Sequence, residues 1–481
     1  MKNHIIGFTL GILLVIVGVD ELVPAMMDYG VNNPNYEDFL WCSLISMFFG
    51  GVLLFSNMNH RHSMTIKETF ALTVMAWLVI SVFVSLPYHF SSMHISFTDS
   101  VFEAVSGVTT TGSTVLSGLD SMSHGLLLWR SLSQWIGGIG IIAFAIVILP
   151  FLQIGGMQLF QTESSDRSEK VMAKTLDVIK AIVQVYVALT IACVLAYYIL
   201  GMNGFDALNH ALTTIPTGGY STHDASFGFF TSSALQYTAA FFMFISGIPF
   251  VLYVRLLYKG ETSIFRDEQV RAYCLIVAGV ILVLTIWLTN NSQFGLMLSL
   301  QYAVFNVISV VTTTGFATTD YVIWGSFSAS LFFFLTYLGG CTGSTSGGIK
   351  IMRLVITFKA LKRQFKTLLY LNGVFTINYQ GSAVTKDVSI AVLSFLAVFV
   401  TANVFLTLAF CFLGLDFDTA ISSAATSLAN VGPGISAEVG PAGNFANFPD
   451  AAKWLMCAGM IIGRLEIMTL LVMFQRQYWQ P

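Results

Sequence analysis

The sequence predicts an all-α polytopic membrane protein in which two leading transmembrane helices precede four pseudo-symmetric repeats of helix, re-entrant loop and helix. Three observations predict this fold: the composition, a series of long apolar runs, and a glycine motif that recurs four times. Of the 481 residues, 55% are hydrophobic and 10% are charged, and the mean hydropathy is +0.76. Soluble globular chains do not have this composition, so most of the surface is expected to face lipid.

Ten apolar runs are long enough to cross a bilayer, which takes about 20 helical residues. The first follows Lys2, as in a signal peptide, but no small-residue cleavage site comes after it, so it is interpreted as a retained span. The six cysteines form no C-x-x-C pair, which predicts neither a disulfide framework nor a zinc site. The runs lie at 4–27, 38–56, 67–87, 125–150, 176–200, 230–257, 270–289, 326–349, 387–413 and 451–475.

The basic residues predict the orientation of these spans. Alternate connections hold 19 of the 22 Lys and Arg residues, at 1–4, 57–67, 151–180, 255–271, 350–386 and 476–481. The opposite connections hold no Lys or Arg and 13 of the 25 acidic residues, at 28–38, 88–124, 201–230, 290–325 and 414–450. The positive-inside rule then places both termini in the cytoplasm. The acidic outer face would attract cations, although it is equally explained by the orientation itself.

Four of the five outer connections contain a short apolar segment followed by a glycine motif. The motifs read SGVTTTG at Ser106–Gly112, TTIPTGG at Thr213–Gly219, SVVTTTG at Ser309–Gly315 and TSLANVG at Thr426–Gly432. Their last glycines lie 107, 96 and 117 residues apart, the length of two spans with their connections. One such motif could be an ordinary turn, but four at matched places predict re-entrant loops around one central pore.

The repeats divide the chain into five predicted segments. Residues 1–60 hold the two extra helices, 61–160 the first repeat and 161–262 the second. Residues 263–380 hold the third repeat with a basic cytoplasmic segment, and 381–481 hold the fourth. Ahead of three motifs, Asp99, Asp206 and Asp418 are predicted to cap short pore helices.

Loops of this kind suit a dehydrated monovalent cation. Non-helical backbone at membrane depth is tolerated only inside protein or beside a watery cavity, and rings of backbone carbonyls can replace a cation's hydration shell. Glycine permits the left-handed backbone that turns carbonyls inward. The motifs lack the carboxylates that calcium would require. The predicted ion-binding residues are Thr110, Thr111, Gly112, Thr217, Gly218, Gly219, Thr313, Thr314, Gly315, Asn430, Val431 and Gly432.

At these motifs, and over its whole length, the chain resembles the Trk/Ktr/HKT superfamily of potassium transporters, in its TrkH-type branch. The resemblance implies gated, channel-like K⁺ uptake across the cell inner (plasma) membrane, with K⁺ as the transported ion and no covalently bound cofactor. A glycine in all four loops matches the potassium-selective form. Gly218 and Val431 replace the Thr of other loops, and Pro216 is peculiar to the second, so the loops need not discriminate equally.

The predicted span 326–349 is interrupted by the run from Gly339 to Gly348, which holds five Gly and four Ser or Thr residues and cannot form a stable helix. The resemblance implies an intramembrane gate here, with Arg464 of the last span behind it. Glu466 and the loop carbonyls are candidate partners for Arg464, whose alternative role is a structural salt bridge. The predicted gating residues are Gly339, Gly340, Gly343, Gly347, Gly348 and Arg464.

The basic segment 350–386 and Arg130 carry two further expectations. A basic cytoplasmic helix contacts anionic lipid headgroups, and the resemblance implies a second role, docking of a separate TrkA-like nucleotide-binding ring, together with homodimerisation. Membrane lipid is an expected partner and nucleic acid is not. Arg130 is interpreted as an interfacial anchor.

Two other functions are weighed against an uncoupled pore. Proton- or sodium-coupled potassium symport would need titratable groups on the ion path, and only Glu103, His210 and Arg464 qualify. Glu103 and His210 stand nine residues before their glycines, where Asn306 and Ser423 stand in the other repeats, so packing of the pore helices explains them better. An enzyme is not predicted, because no H-E-x-x-H, G-x-S-x-G or paired intramembrane Asp occurs.

Overall fold

A computed structural model describes residues 4–58, 65–152 and 169–480. The helices of the first half are α1 His4–Gly30, α2 Asn35–Asn57, α3 Ile66–Phe90, α4 Phe97–Val108, α5 His124–Leu152, α6 Glu169–Ile199, α7 Gly204–Thr214, α8 Ser233–Ser246 and α9 Phe250–Lys259. Those of the second half are α10 Glu268–Asn291, α11 Leu296–Val311, α12 Ser326–Thr336, α13 Ile351–Leu369, α14 Lys386–Phe412, α15 Phe417–Ala429, α16 Asp450–Arg464 and α17 Ile467–Met473. A two-stranded hairpin, β1 Asn378–Tyr379 and β2 Ser382–Ala383, follows α13.

The predicted apolar runs fall on these helices, and the predicted all-α membrane fold is confirmed. In the described part of the chain, six helices are long and apolar enough to cross a membrane, and the number rises to eight if each of two bent pairs forms one span. Helix α5, 29 residues long, covers the run predicted at 125–150. The predicted cytoplasmic connections 57–67 and 151–180 lie partly outside the described residues.

Three predicted spans are not continuous helices. The run 326–349 is helical only as far as Thr336, as its glycines predict. The runs 230–257 and 451–475 are each divided between two helices, because α8 and α9 meet at 90° and α16 and α17 meet at 103°. Pro249 lies at the first bend, where it cannot donate a helical hydrogen bond. Glu466 lies at the second, with a left-handed φ of 59°.

A short buried helix precedes each glycine motif, as predicted: α4, α7, α11 and α15. The predicted capping residues are wrong, however. Ser96 and Asn203 are the N-caps of α4 and α7, and their side chains accept hydrogen bonds from the backbone N–H groups of Asp99 and Asp206. Asp418 likewise lies within the first turn of α15. In the first turn, these carboxylates still interact favourably with the positive end of the helix dipole.

The two leading helices pack closely against each other through glycines. A β-carbon placed on Gly11 would lie 2.6 Å from the backbone nitrogen of Leu54, and one on Gly50 would lie 2.8 Å from that of Val15. Small residues of this kind allow the backbones of membrane helices to approach. Large apolar side chains such as Phe55 point outward instead, and the core lies around the four short helices.

Candidate cation pathway

The four glycine motifs share one backbone conformation. The last residue of each has a left-handed φ: 87° at Gly112, 77° at Gly219, 85° at Gly315 and 99° at Gly432. Two residues earlier the φ is again left-handed: 52° at Thr110, 56° at Thr217, 58° at Thr313 and 54° at Asn430. The residue between is not left-handed. Left-handed residues and a residue that is not left-handed therefore alternate over the last three positions of every motif.

The four motifs meet in a closed ring that follows chain order. Each glycine lies against the carbonyl oxygen of the residue before the glycine of the next motif. A β-carbon placed on Gly112 would lie 2.3 Å from the Gly218 carbonyl oxygen, and one placed on Gly219 would lie 1.9 Å from the Thr314 carbonyl oxygen. A β-carbon placed on Gly315 would lie 2.2 Å from the Val431 carbonyl oxygen, and one placed on Gly432 would lie 2.9 Å from the Thr111 carbonyl oxygen. We call these four motifs the loop ring. It leaves no room for a side chain at any of the glycines.

In three of the four repeats, the side chain nine residues before the glycine contacts the segment that leaves the loop. The Glu103 carboxylate accepts hydrogen bonds from Thr114 Oγ1 at 3.0 Å and Val115 N at 3.1 Å. In the second repeat His210 Nε2 and Ser221 Oγ lie 3.0 Å apart. In the third repeat Asn306 Nδ2 donates to Thr318 Oγ1 at 2.9 Å. In the fourth repeat the neighbouring Ser422 Oγ accepts from Ile435 N at 2.7 Å. These residues therefore brace the loops from behind.

Arg130 is part of this support, and its interpretation as an interfacial anchor is wrong. It is fully buried, its Nε donates to Glu103 Oε1 at 2.8 Å, and its Nη1 donates to the Ser221 carbonyl at 2.9 Å. The guanidinium also lies 4.1 Å from the ring centre of Tyr220, within the range of a cation–π contact. Arg130 thus links the loops of the first and second repeats. Its place within a span was the one signal in the sequence for this role.

Gln134 explains why the second loop has glycine at 218. Its Nε2 donates to the Gly218 carbonyl at 2.8 Å, and its Oε1 accepts from Tyr220 N at 3.1 Å. A β-carbon on Gly218 would lie 2.3 Å from the Gln134 amide carbon. The glutamine fills the space that a threonine side chain would occupy. No pattern in the sequence identifies Gln134.

Between α12 and α13 the predicted gate forms a buried loop that contacts the ring. Gly347 N donates to Thr313 Oγ1 at 2.6 Å, and Thr217 Oγ1 donates to Thr345 Oγ1 at 3.3 Å. A β-carbon on Gly347 would lie 2.2 Å from the Ala429 carbonyl oxygen. We call residues 338–349 the intramembrane loop. The structure therefore brings the predicted gating glycine 347 against the predicted ion-binding residues.

The intramembrane loop is anchored at its base and side. Gly339 N donates to the Ile349 carbonyl at 3.0 Å, which closes the loop. Cys341 N donates to the Gly247 carbonyl at 2.8 Å, at the bend between α8 and α9. Gly343 and Gly348 have left-handed φ values of 88° and 62°. A β-carbon placed on Gly339 would lie 2.0 Å from the Gly347 carbonyl oxygen, and one placed on Gly340 would lie 2.6 Å from Ser346 Oγ.

Four charged side chains line a small cavity beside this loop: Lys350, Arg353, Arg464 and Glu466. Glu466 pairs with Arg353, so its expected pairing with Arg464 is wrong. Within the described residues, Arg464 Nε and Nη2 are buried without a hydrogen-bond partner. The Lys350 ammonium donates to the Ser346 carbonyl of the loop. Three cations thus face one carboxylate on this side of the loop ring.

Comparison with known proteins identifies the family. The TrkH family model, described as a cation transport protein, matches residues 37–480. The chain belongs to the TrkH family. The Trk system potassium uptake protein TrkI of Halomonas elongata is 47% identical over 414 residues, which cover 86% of this chain and 84% of that protein. The Trk system potassium uptake protein TrkH of Escherichia coli is 34% identical over 476 residues, 98% of each chain.

A solved structure agrees with membership of the TrkH family over the whole fold. The crystal structure of the potassium transporter TrkH from Vibrio parahaemolyticus matches with a TM-score of 0.92 and 34% identity, and the match covers 100% of both chains. The resemblance inferred from the four motifs is therefore confirmed. The relatives are named as transport proteins and none as an enzyme.

Proposed function

We propose that this chain takes up potassium through a gated, channel-like pore whose selectivity filter is the loop ring. The observation that carries the proposal is the cyclic contact of four glycines with four carbonyl oxygens. Carbonyl oxygens are neutral ligands that can replace the water around a monovalent cation. The relatives' names point to K⁺ as that cation. The ion-binding residues are the twelve predicted at the ends of the four motifs.

The short helices add an electrostatic argument for a cation. Helices α4, α7, α11 and α15 all end within the four motifs, at Val108, Thr214, Val311 and Ala429. The C-terminal end of a helix carries a partial negative charge. Four such ends directed at one axis favour a cation there, as in other transporters with half-helices.

The intramembrane loop and Arg464 are proposed to form the gate. The loop contacts the ring at Thr217 and Thr313, so it lies where it would block the inner end of a pore. Lys350, Arg353 and Arg464 outnumber Glu466 beside it, and unneutralised positive charge in a buried site repels a permeating cation. Opening would require the loop to leave the ring.

The orientation and partners are proposed on charge and exposed surface. Both termini are placed in the cytoplasm, in the plasma membrane, because the basic connections lie on one side. Helix α13 carries Lys362 and Lys366 beside exposed Phe358, Leu361 and Phe365. This surface suits anionic lipid, and in a homodimer it would also be available to a separate cytoplasmic nucleotide-binding ring.

Ion selectivity in a reconstituted bilayer tests the proposal. With K⁺ on one side and Na⁺ on the other, the reversal potential should lie near the potassium equilibrium potential. A proton gradient at equal K⁺ should leave it unchanged, because Glu103 and His210 are held by structural hydrogen bonds. A reversal potential that follows pH would favour the coupled symporter. Equal permeability to K⁺ and Na⁺ would remove the filter assignment.

A further inference from the structure

Four side-chain oxygens occupy the same register of the loop ring, on the side that the intramembrane loop contacts. They belong to the left-handed residues Thr110, Thr217, Thr313 and Asn430, all fully buried. In the described structure, Thr110 Oγ1 and Asn430 Oδ1 have no hydrogen-bond partner. Asn430 Nδ2 donates to Thr111 Oγ1 and to the Met460 carbonyl, both at 2.9 Å, which fixes the amide and leaves its oxygen free. Buried oxygens without a donor are normally matched by a ligand or water.

The other two oxygens of this register face the intramembrane loop. Gly347 N–H donates to Thr313 Oγ1 at 2.6 Å. Thr217 Oγ1 lies 3.3 Å from Thr345 Oγ1. The α-carbon of Gly347 also packs so closely on the Ala429 carbonyl that a β-carbon would lie 2.2 Å from its oxygen. The loop therefore occupies the space next to the very oxygens that a cation entering from this side would meet.

We propose that these four oxygens form an innermost site for a dehydrated monovalent cation, and that the closed intramembrane loop competes with the cation for Thr313. The inference rests on the proposed function. A backbone N–H carries partial positive charge, so its donation to one ligand oxygen opposes a cation bound at the same oxygen. A bound cation then favours release of the loop, and closure of the loop expels the cation. Ion occupancy and gate position are coupled through one hydroxyl.

Amide hydrogen exchange of the loop in the full-length protein tests this coupling. The protein is placed in nanodiscs at equal ionic strength in K⁺, Na⁺ or N-methylglucamine, and exchange is followed in peptides that cover 338–350. We expect exchange roughly two- to tenfold faster in K⁺ than in N-methylglucamine, the range for loss of one hydrogen bond. Equal or slower exchange in K⁺ would overturn the coupling. If the reversal potential still selects K⁺ in that case, the proposed function stands and only this inference fails.

Two matched valine substitutions separate the loop contact from the cation site. Thr313→Val removes the oxygen that accepts the hydrogen bond from Gly347 N–H, so the amide hydrogens of the intramembrane loop should exchange fast in all three cations. Thr313→Ser keeps a hydroxyl and should restore the slow exchange in N-methylglucamine. Thr110→Val removes an oxygen that has no bond to the loop. In this variant the amide hydrogens of the intramembrane loop should exchange slowly in N-methylglucamine, as they do in wild type. K⁺ should accelerate this exchange less than it does in wild type. Slow exchange in Thr313→Val would contradict the proposal. If a variant fails to fold, the comparison of amide exchange in wild-type protein between K⁺ and N-methylglucamine is sufficient to test the coupling.

Discussion

At the scale of single residues, the loop ring combines two kinds of left-handed position. Gly112, Gly219, Gly315 and Gly432 are glycines because a neighbouring carbonyl occupies the place of a β-carbon. Thr110, Thr217, Thr313 and Asn430 keep a side chain in the same backbone region, at about 1 to 2 kcal/mol each. These positions keep a side-chain oxygen despite this cost, as the proposed use of the oxygens as ligands requires.

Replacing Gly112 with serine tests the packing of the ring. The new β-carbon would meet the Gly218 carbonyl at 2.3 Å and displace it, so we expect the permeability ratio of K⁺ to Na⁺ to fall about tenfold, equivalent to about 1.4 kcal/mol. Reversal potentials measure the ratio. The control is Gly118→Ser, because Gly118 is also left-handed, with φ of 75°, but has only Ser121 Oγ near, at 3.8 Å. An unchanged ratio in Gly112→Ser would count against the ring as a filter.

The Arg130–Glu103 pair offers a test of how the first two loops are held. Removing one partner of a buried pair leaves an uncompensated charge and typically destabilises by about 3 to 5 kcal/mol. Glu103→Gln should therefore lower the unfolding temperature strongly and reduce K⁺ selectivity. The matched control is Lys359→Gln, which breaks a pair with Glu268 that is about one third exposed and is expected to change stability by about 0 to 1 kcal/mol. Equal effects of the two substitutions would contradict the bracing role.

In the connection between α4 and α5, the hydrogen bond from His223 lowers the pKa of the Asp120 carboxyl. A carboxyl whose pKa is lower in the folded than in the unfolded state stabilises the fold above the unfolded value, and this contribution disappears as pH falls through the folded value. Asp120→Asn should thus lower the unfolding temperature slightly at pH 7, and the difference from wild type should shrink as the pH falls through the lowered pKa of Asp120. The effect is small because the Asp120 side chain is half exposed. A difference that grew toward acid pH would contradict this assignment.

At the scale of elements, the short helices and their loops were predictable, whereas two breaks in the long helices were not. Four copies of one motif between matched spans are a strong signal, and glycines 339 to 348 exclude a helix on composition. The bends at Pro249 and Glu466 each depend on one residue, and proline is tolerated inside α1 and α3. Likewise, Glu103 and Arg130 are 27 residues apart on different helices, so only the tertiary structure could reveal their pairing.

The fit of the intramembrane loop under the ring is tested by Gly347→Ala. Its methyl group would lie 2.2 Å from the Ala429 carbonyl oxygen, so the loop should be pushed from the ring and basal ⁸⁶Rb⁺ flux into proteoliposomes should rise several-fold. A methyl group added in a closely packed site commonly disturbs the structure more than a methyl group added at an exposed position. The control is Gly279→Ala in α10, where nothing lies within 4 Å of the added atom. Lower or equal flux in Gly347→Ala would remove the loop as the closed gate.

At the scale of the whole molecule, the Lys and Arg residues are distributed unevenly between the connections of the spans. The predicted outer connections lack Lys and Arg altogether, and the three cations inside spans, Arg130, Lys453 and Arg464, are buried. Arg130 and Lys453 pair with Glu103 and Asp99 of the first short helix. Two of the three cations inside spans are thus neutralised by carboxylates of α4.

This separation predicts which face of the membrane each protease can cut. Trypsin should leave the protein intact in right-side-out vesicles, because the outer connections offer no Lys or Arg, and should cut inverted vesicles at exposed Lys362 or Lys366 of α13. A glutamate-specific protease provides the control from outside, since Glu438 is exposed in the connection before α16. Mass spectrometry of the fragments assigns each cut. Cleavage at Lys362 in right-side-out vesicles would invert the orientation, and with it the proposal that the intramembrane loop closes the pore on its cytoplasmic side.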